Sequence, residues 1–318
     1  MSKHKSKSFL TLIILLSITL FIISPKVCMD ATSRGLRVWL VNVVPALFPF
    51  FILTRIIIML NQTSIPTLDK FTSKCFRTQN AGLTYFLSML SGYPVGAKLI
   101  SSYYESGAID KATATKMFSF CSTSGPMFII GTVGLGIFGS AKVGYILLIG
   151  HIIGSFINGL IFRGKATSSN QFTPKPTNVN LNEIMYDSIN SILLVGGYIV
   201  FSSVVIELLK ISNILPTFAN LICIITPFDY NIVYSFLCGI IEITNGLIML
   251  GGINFNLNLK IILASIIIAF SGICIMLQSL GFLNKIGIKT HTILIQKITQ
   301  SIVTAIATFL VVSLFNVV

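Results

Sequence analysis

The chain has 318 residues, of which 54% are hydrophobic and only 10% charged, and its mean hydropathy is +0.89. A soluble fold cannot hide that much apolar surface, and the apolar runs are too long and unbroken for the alternating strands of an outer-membrane barrel. The formal charge of +13 suits a polytopic α-helical membrane protein with cations in its cytoplasmic loops, rather than a nucleic-acid binder.

Residues 1–8 carry Lys3, Lys5 and Lys7, and 9–23 is an apolar run ended by Ser24-Pro25. A signal peptide has this basic start, but no small-x-small cleavage site follows, so the run reads as an uncleaved first helix with its N-terminus in the cytoplasm. The polar stretch 30–37 is expected to lie along the interface, with Trp39 as an aromatic anchor. Residues 38–60 read as a span bent by Pro45 and Pro49. Residues 61–80 read as a polar connection.

The run 81–90 is about ten residues, roughly 15 Å of helix, or half a bilayer. Ser91-Gly92-Tyr93-Pro94 then breaks it, and 95–105 returns. Neither arm spans alone, so the pair reads as a re-entrant hairpin. Broken backbone at membrane depth survives only where protein or a water-filled cavity satisfies it. Residues 110–138 form a second interrupted segment, broken at Ser122-Thr123-Ser124-Gly125-Pro126. Residues 142–162 are a full span containing His151, with Gly150, Gly154, Ser155 and Gly159 suited to close helix packing.

The stretch 163–182 alone has linker composition. Beyond it come a span at 183–210 with Gly196-Gly197, a short run at 216–225, and a run at 232–250 holding Glu242, Thr244, Asn245 and Gly246. Residues 260–283 are interrupted at Ser271-Gly272, with Gln278 beyond, and 292–315 is the last span.

At an offset of about 150 residues the halves match in order. The break at Ser91 matches the polar cluster at Glu242, and Ser124-Gly125 matches Ser271-Gly272. Each half is then helix, re-entrant hairpin, broken helix and helix. Because the hairpins do not cross, each half crosses an odd number of times and the second is inverted, as in inverted-repeat transporters. The expected organisation is a tail, first helix and interfacial segment at 1–37, one repeat at 38–162, a polar cytoplasmic linker at 163–182, and a second repeat at 183–318.

No catalytic constellation emerges. The six cysteines are scattered without metal-ligand spacing, the three histidines are far apart, and no phosphate loop or nucleophile motif occurs. An enzyme is therefore not expected. The breaks are the candidate binding site: Ser91, Gly92, Tyr93, Pro94 and Lys98; Ser122, Thr123, Ser124 and Gly125; Glu242, Thr244 and Asn245; Ser271 and Gln278. Half-helices starting at Val95 and Met127 would offer free N–H groups and a partial positive charge to an anion. Lys98 either adds a full charge to that site or snorkels to the headgroups. Glu242 either balances Lys98, binds a proton or sodium ion, or is a structural carboxylate held by backbone donors. The expected partners are a small anionic substrate and the lipid bilayer. No cofactor is expected beyond a coupling sodium ion or proton, and a homo-oligomer is left open.

Five stretches carry a family resemblance: Ser91-Gly92-Tyr93-Pro94-x-Gly96-Ala97-Lys98; Ser124-Gly125-Pro126-x-Phe128-Ile129; His151 with Gly154; Glu242-Ile243-Thr244-x-Gly246; and Phe270-Ser271-Gly272 with Gln278. From Val38 to Thr308 the chain resembles the YlbJ-type sporulation integral membrane proteins of the nucleoside-recognition, or Gate, group, which is related to concentrative nucleoside transporters. It departs from the pattern at Cys121-Ser122-Thr123, where asparagines are expected, and in lacking a histidine before Gln278. The resemblance implies a transporter in the outer forespore membrane that passes dipicolinic acid from mother cell toward spore. Two alternatives stand beside it: a sodium- or proton-coupled nucleoside transporter, and a non-transporting scaffold in spore assembly.

Overall fold

The computed structural model describes residues 2–60, 65–79, 81–165 and 180–315. The described residues are all-helical, without a strand. Five helices are long and apolar enough to cross a membrane: Pro25–Ile57, Ala141–Ile161, Leu181–Ile211, Leu257–Ile286 and Thr290–Leu314. The protein is a multi-pass integral membrane protein. Most of the expected linker, from 166 to 179, lies outside the described residues.

Helix α1 (Ser2–Ile23) stops at Ser24, and α2 (Pro25–Val38) starts with proline at its first turn, where no N–H is needed. The segment expected along the interface is instead part of α2. It continues through a π-helical turn (Trp39–Val43) into α3 (Val44–Met59), so no break falls at 37/38. The reason is packing. Gly35 lets α2 approach α9 (Leu181–Ile211) until a Cβ there would lie 2.9 Å from Ser203 Oγ. Trp39 packs there too: its Nε1 donates to the Ile192 carbonyl at 3.1 Å, and its ring covers Gly196. The wide turn precedes Pro45, which cannot donate to the turn before it. Beside it the Asn42 carbonyl accepts from the Thr132 hydroxyl at 2.9 Å.

Within the connection expected at 61–80 lies a helix, α4 (Pro66–Phe76), opened by proline and closed by Arg77 in the left-handed region. The first expected hairpin is α5 (Gly82–Ser91) and α6 (Val95–Glu105). The broken segment is α7 (Lys111–Cys121) followed by a π-helix (Met127–Ile137), and α8 (Ala141–Ile161) completes the half. After α9 come a short helix α10 (Ile214–Ile225) and the hairpin α11 (Tyr230–Ile241) with α12 (Ile243–Gly252). The second broken segment is α13 (Leu257–Phe270) with α14 (Gly272–Leu283), and the last helix is α15 (Thr290–Phe315).

In each half the hairpin break sits against the break of the following helix. Gly92 has φ +77° and no room for a side chain, because a Cβ would lie 2.5 Å from Gly125 N. Gly272, with φ +71°, sits likewise against the Ile241 carbonyl and Ile243 N–H. The hairpins open toward opposite ends of the α13–α14 unit. At one end Lys285 pairs with Glu105 at 2.8 Å, closing over the open end of α5–α6. At the other, Lys260 donates to the Gly251 and Ile253 carbonyls at the open end of α11–α12. Gly150 and Gly154 of α8 lie directly on Thr308 and Thr304 of α15, the close packing their small size suggested.

Candidate functional site

The two hairpin tips meet in a small cavity of about 40 Å³. Tyr93, Ser124, Gly125, Glu242, Thr244 and Gln278 line it, so part of the expected set converges. That volume holds a water or two, not an organic substrate. Glu242 is 1% exposed and acts as the N-cap of α12. Its carboxylate accepts from the Thr244 N–H at 3.0 Å, the Asn245 N–H at 2.8 Å and Asn245 Nδ2 at 2.8 Å. Those donors belong to the positive end of a half-helix, which stabilises a buried carboxylate. Asn245 itself reaches away, to Ser203 Oγ at 2.9 Å.

Lys98 is not in that cavity and does not face Glu242. It lines a separate cleft of about 270 Å³, with Pro94, Arg55, Asp187, Ser191 and Lys285. The separation follows from helix geometry, because Lys98 lies one turn below the tip, on the face that α6 turns toward α3 and α9. Its ammonium donates to Ser191 Oγ at 3.2 Å and forms no ion pair among the described residues. Arg55 beside it is paired with Asp187. The cleft is near the lower edge of the roughly 300–1,000 Å³ that ligand pockets occupy, so it suits a small molecule. At its mouth the Lys285 ammonium, by its hydrogen bond, holds the Glu105 carboxyl below its ordinary value.

The break after α7 borders the small cavity through Ser124 and Gly125. Ser124 donates its backbone N–H to His151 Nε2 at 2.9 Å, so His151 serves as an interhelical acceptor. Thr123 Oγ1 is buried without a partner among the described residues. Ser91 is tied to Thr54 through their hydroxyls, and Ser271 bonds its own neighbour's carbonyl. Gln278 touches Cys274 Sγ at 3.6 Å.

Three charged residues inside spans escaped the sequence reading: Arg55, Asp187 and Lys297. Lys297 is the most enclosed, at 1% exposure two turns into α15. It donates to the Tyr93 hydroxyl, the Ser122 carbonyl and hydroxyl, and Gln300 Oε1. The available signal was a lysine between Gln296 and Gln300 within a helix otherwise rich in Ile, Val and Thr. Glu207 ties α9 to α2 through Arg34 at 2.8 Å. Among the described residues no group of three His, Cys, Asp or Glu could hold a metal ion.

The chain is 26% identical to the sporulation integral membrane protein YlbJ of Bacillus subtilis (strain 168), over 96% of this chain and 83% of that one. No protein-family model and no solved structure matches.

Proposed function

We propose, from the premise that the chain is a YlbJ-type sporulation integral membrane protein, that it carries a small organic anion across a membrane during sporulation. By the resemblance, the anion is dipicolinic acid and the membrane is the outer forespore membrane. The observation that carries the reading is Lys98, a cation without an ion pair among the described residues, set in a cleft of small-molecule size beside Arg55. An intramembrane cation is costly to keep and defaults to function. A nucleoside has no charge for it to meet.

The reading includes two inverted repeats, 38–162 and 183–318. Supporting it are the paired breaks and the opposite opening of the two hairpins, with both tips on one cavity. Alternating access would then move the tips relative to the long helices around them.

Uptake of labelled dipicolinate and of uridine into vesicles holding the purified protein tests the proposal. Dipicolinate uptake without uridine uptake is expected. Uridine uptake alone would move the chain to the nucleoside class. Absence of both from correctly inserted protein would favour a scaffold.

A further inference from the structure

Lys297 is an ammonium enclosed by neutral oxygens. Tyr93 Oη lies at 3.0 Å, the Ser122 carbonyl at 3.1 Å, Ser122 Oγ at 3.3 Å and Gln300 Oε1 at 2.8 Å. The groups come from three separate elements: a hairpin tip, the unwound backbone after α7, and α15 itself. The titratable groups facing the lysine are Tyr93 and His151 of α8, and no carboxylate pairs with it among the described residues.

A buried lysine used for stability alone would be expected to have a carboxylate partner or to be absent. Here the surroundings have the composition of an alkali-cation shell: one unwound-backbone carbonyl, two hydroxyl oxygens and one amide oxygen, all hard and neutral. Such a shell is unfavourable when empty, because its oxygens converge out of contact with water. Among the described residues, three polar groups beside it have no partner: Gln300 Nε2, Thr123 Oγ1 and His151 Nδ1. They show that the space around the ammonium was not built as an apolar core.

We infer that Lys297 is a tethered cation filling a monovalent-cation site between the first hairpin tip and the unwound stretch after α7. It holds in place what a free sodium ion would otherwise hold, and the protein works without sodium. The inference rests on the transport reading and deepens it, since a fixed ammonium beside the first hairpin tip takes the place of a coupling sodium ion. Its test needs no transport.

The purified full chain is melted in sodium, potassium and choline chloride at equal ionic strength. The wild-type midpoint is expected to be the same in all three. Lys297→Ala vacates the space and leaves the oxygens, so it is expected to be destabilised in choline and restored specifically by sodium. Lys297→Met fills the space with apolar atoms and is expected to show no sodium response. A Lys297→Ala protein that is equally stable, or equally unfolded, in all three salts overturns the inference. So does a sodium response of the same size in wild type or in Lys297→Met. Loss of dipicolinate uptake in wild type alongside the expected melting pattern would sink the transport reading and leave this one standing.

Discussion

The Lys297 ammonium donates to the Tyr93 hydroxyl at 3.0 Å, across a sequence separation of 204 residues. That hydroxyl in turn donates to the Ile268 carbonyl at 3.3 Å, at the end of α13. One side chain at the tip of the first hairpin thus joins the last helix to the broken helix of the second half. The tip is held by hydrogen bonds rather than by apolar packing alone.

Tyr93→Phe keeps the ring and removes that link. Hydrogen bonds to charged groups contribute about 1.5–3 kcal/mol in water-soluble proteins and less on average between membrane helices. A destabilisation of about 1–2 kcal/mol is expected, read as a lower melting midpoint in detergent. A midpoint equal to wild type would mean that the hairpin tip is held elsewhere.

Gly196 and Gly197 are neighbours with opposite surroundings. A Cβ at Gly196 would lie 2.6 Å from the Trp39 ring, whereas one at Gly197 meets nothing within 4 Å. Gly196→Ala is expected to push α9 off the α2–α3 helix and cost about 1–3 kcal/mol, the usual range for overpacking. Gly197→Ala is expected to be neutral or slightly stabilising, since it only removes backbone freedom. The comparison needs only parallel thermal melts, and equal effects would contradict the α2–α9 packing.

Glu242 is held by backbone and amide donors rather than by a cation. Its replacement should therefore behave as loss of a helix cap. Glu242→Ala is expected to cost about 1–2 kcal/mol, the upper part of the capping range. Glu242→Gln keeps one acceptor and is expected to cost less. Neither should alter the ion dependence of uptake. A changed sodium or proton dependence in Glu242→Gln would make this carboxylate an ion site instead.

Asp110 lies outside the spans and caps α7, accepting from the Thr113 N–H at 2.7 Å. Hydrogen bonding from Thr113 holds its carboxyl below the ordinary 3.8. A carboxyl depressed in the folded state stabilises the fold above its unfolded pKa, and that stability is lost as pH falls through the folded value. Asp110→Ala is thus expected to cost about 1 kcal/mol near neutral pH. The gap should close in acid below the ordinary carboxyl pKa. A gap independent of pH across that window would show that the cap is not electrostatic.

The helix breaks were legible because glycine, proline and serine interrupt apolar runs that are otherwise continuous. Two of these breaks recur in order at one offset, which is the basis for reading the chain as two repeats. The short helix α4 was not, because its polar composition reads as a loop until Thr72 and Phe76 are seen to be buried. The two π-helical turns carry no composition signal of their own. Lys297 and Arg55 sit toward the ends of hydrophobic windows, where a lysine or arginine is ordinarily assigned to the headgroups. Only long-range packing decides that one enters a cleft and the other an oxygen cage. The same holds for Lys98 and Glu242. Each stands beside a hairpin tip in sequence, yet helix phase sends them into different cavities.

Counterflow with Lys98→Ala probes the anion cleft most directly. Vesicles containing correctly inserted protein are loaded with unlabelled dipicolinate, and entry of labelled dipicolinate is followed. Wild type is expected to accumulate label transiently. Lys98→Ala, folded and inserted to the same extent, is expected to lose at least tenfold in initial rate, because about 1.4 kcal/mol of lost charge interaction is already a factor of ten. Equal counterflow in the two proteins would remove Lys98 from the site and the cleft from the transport path.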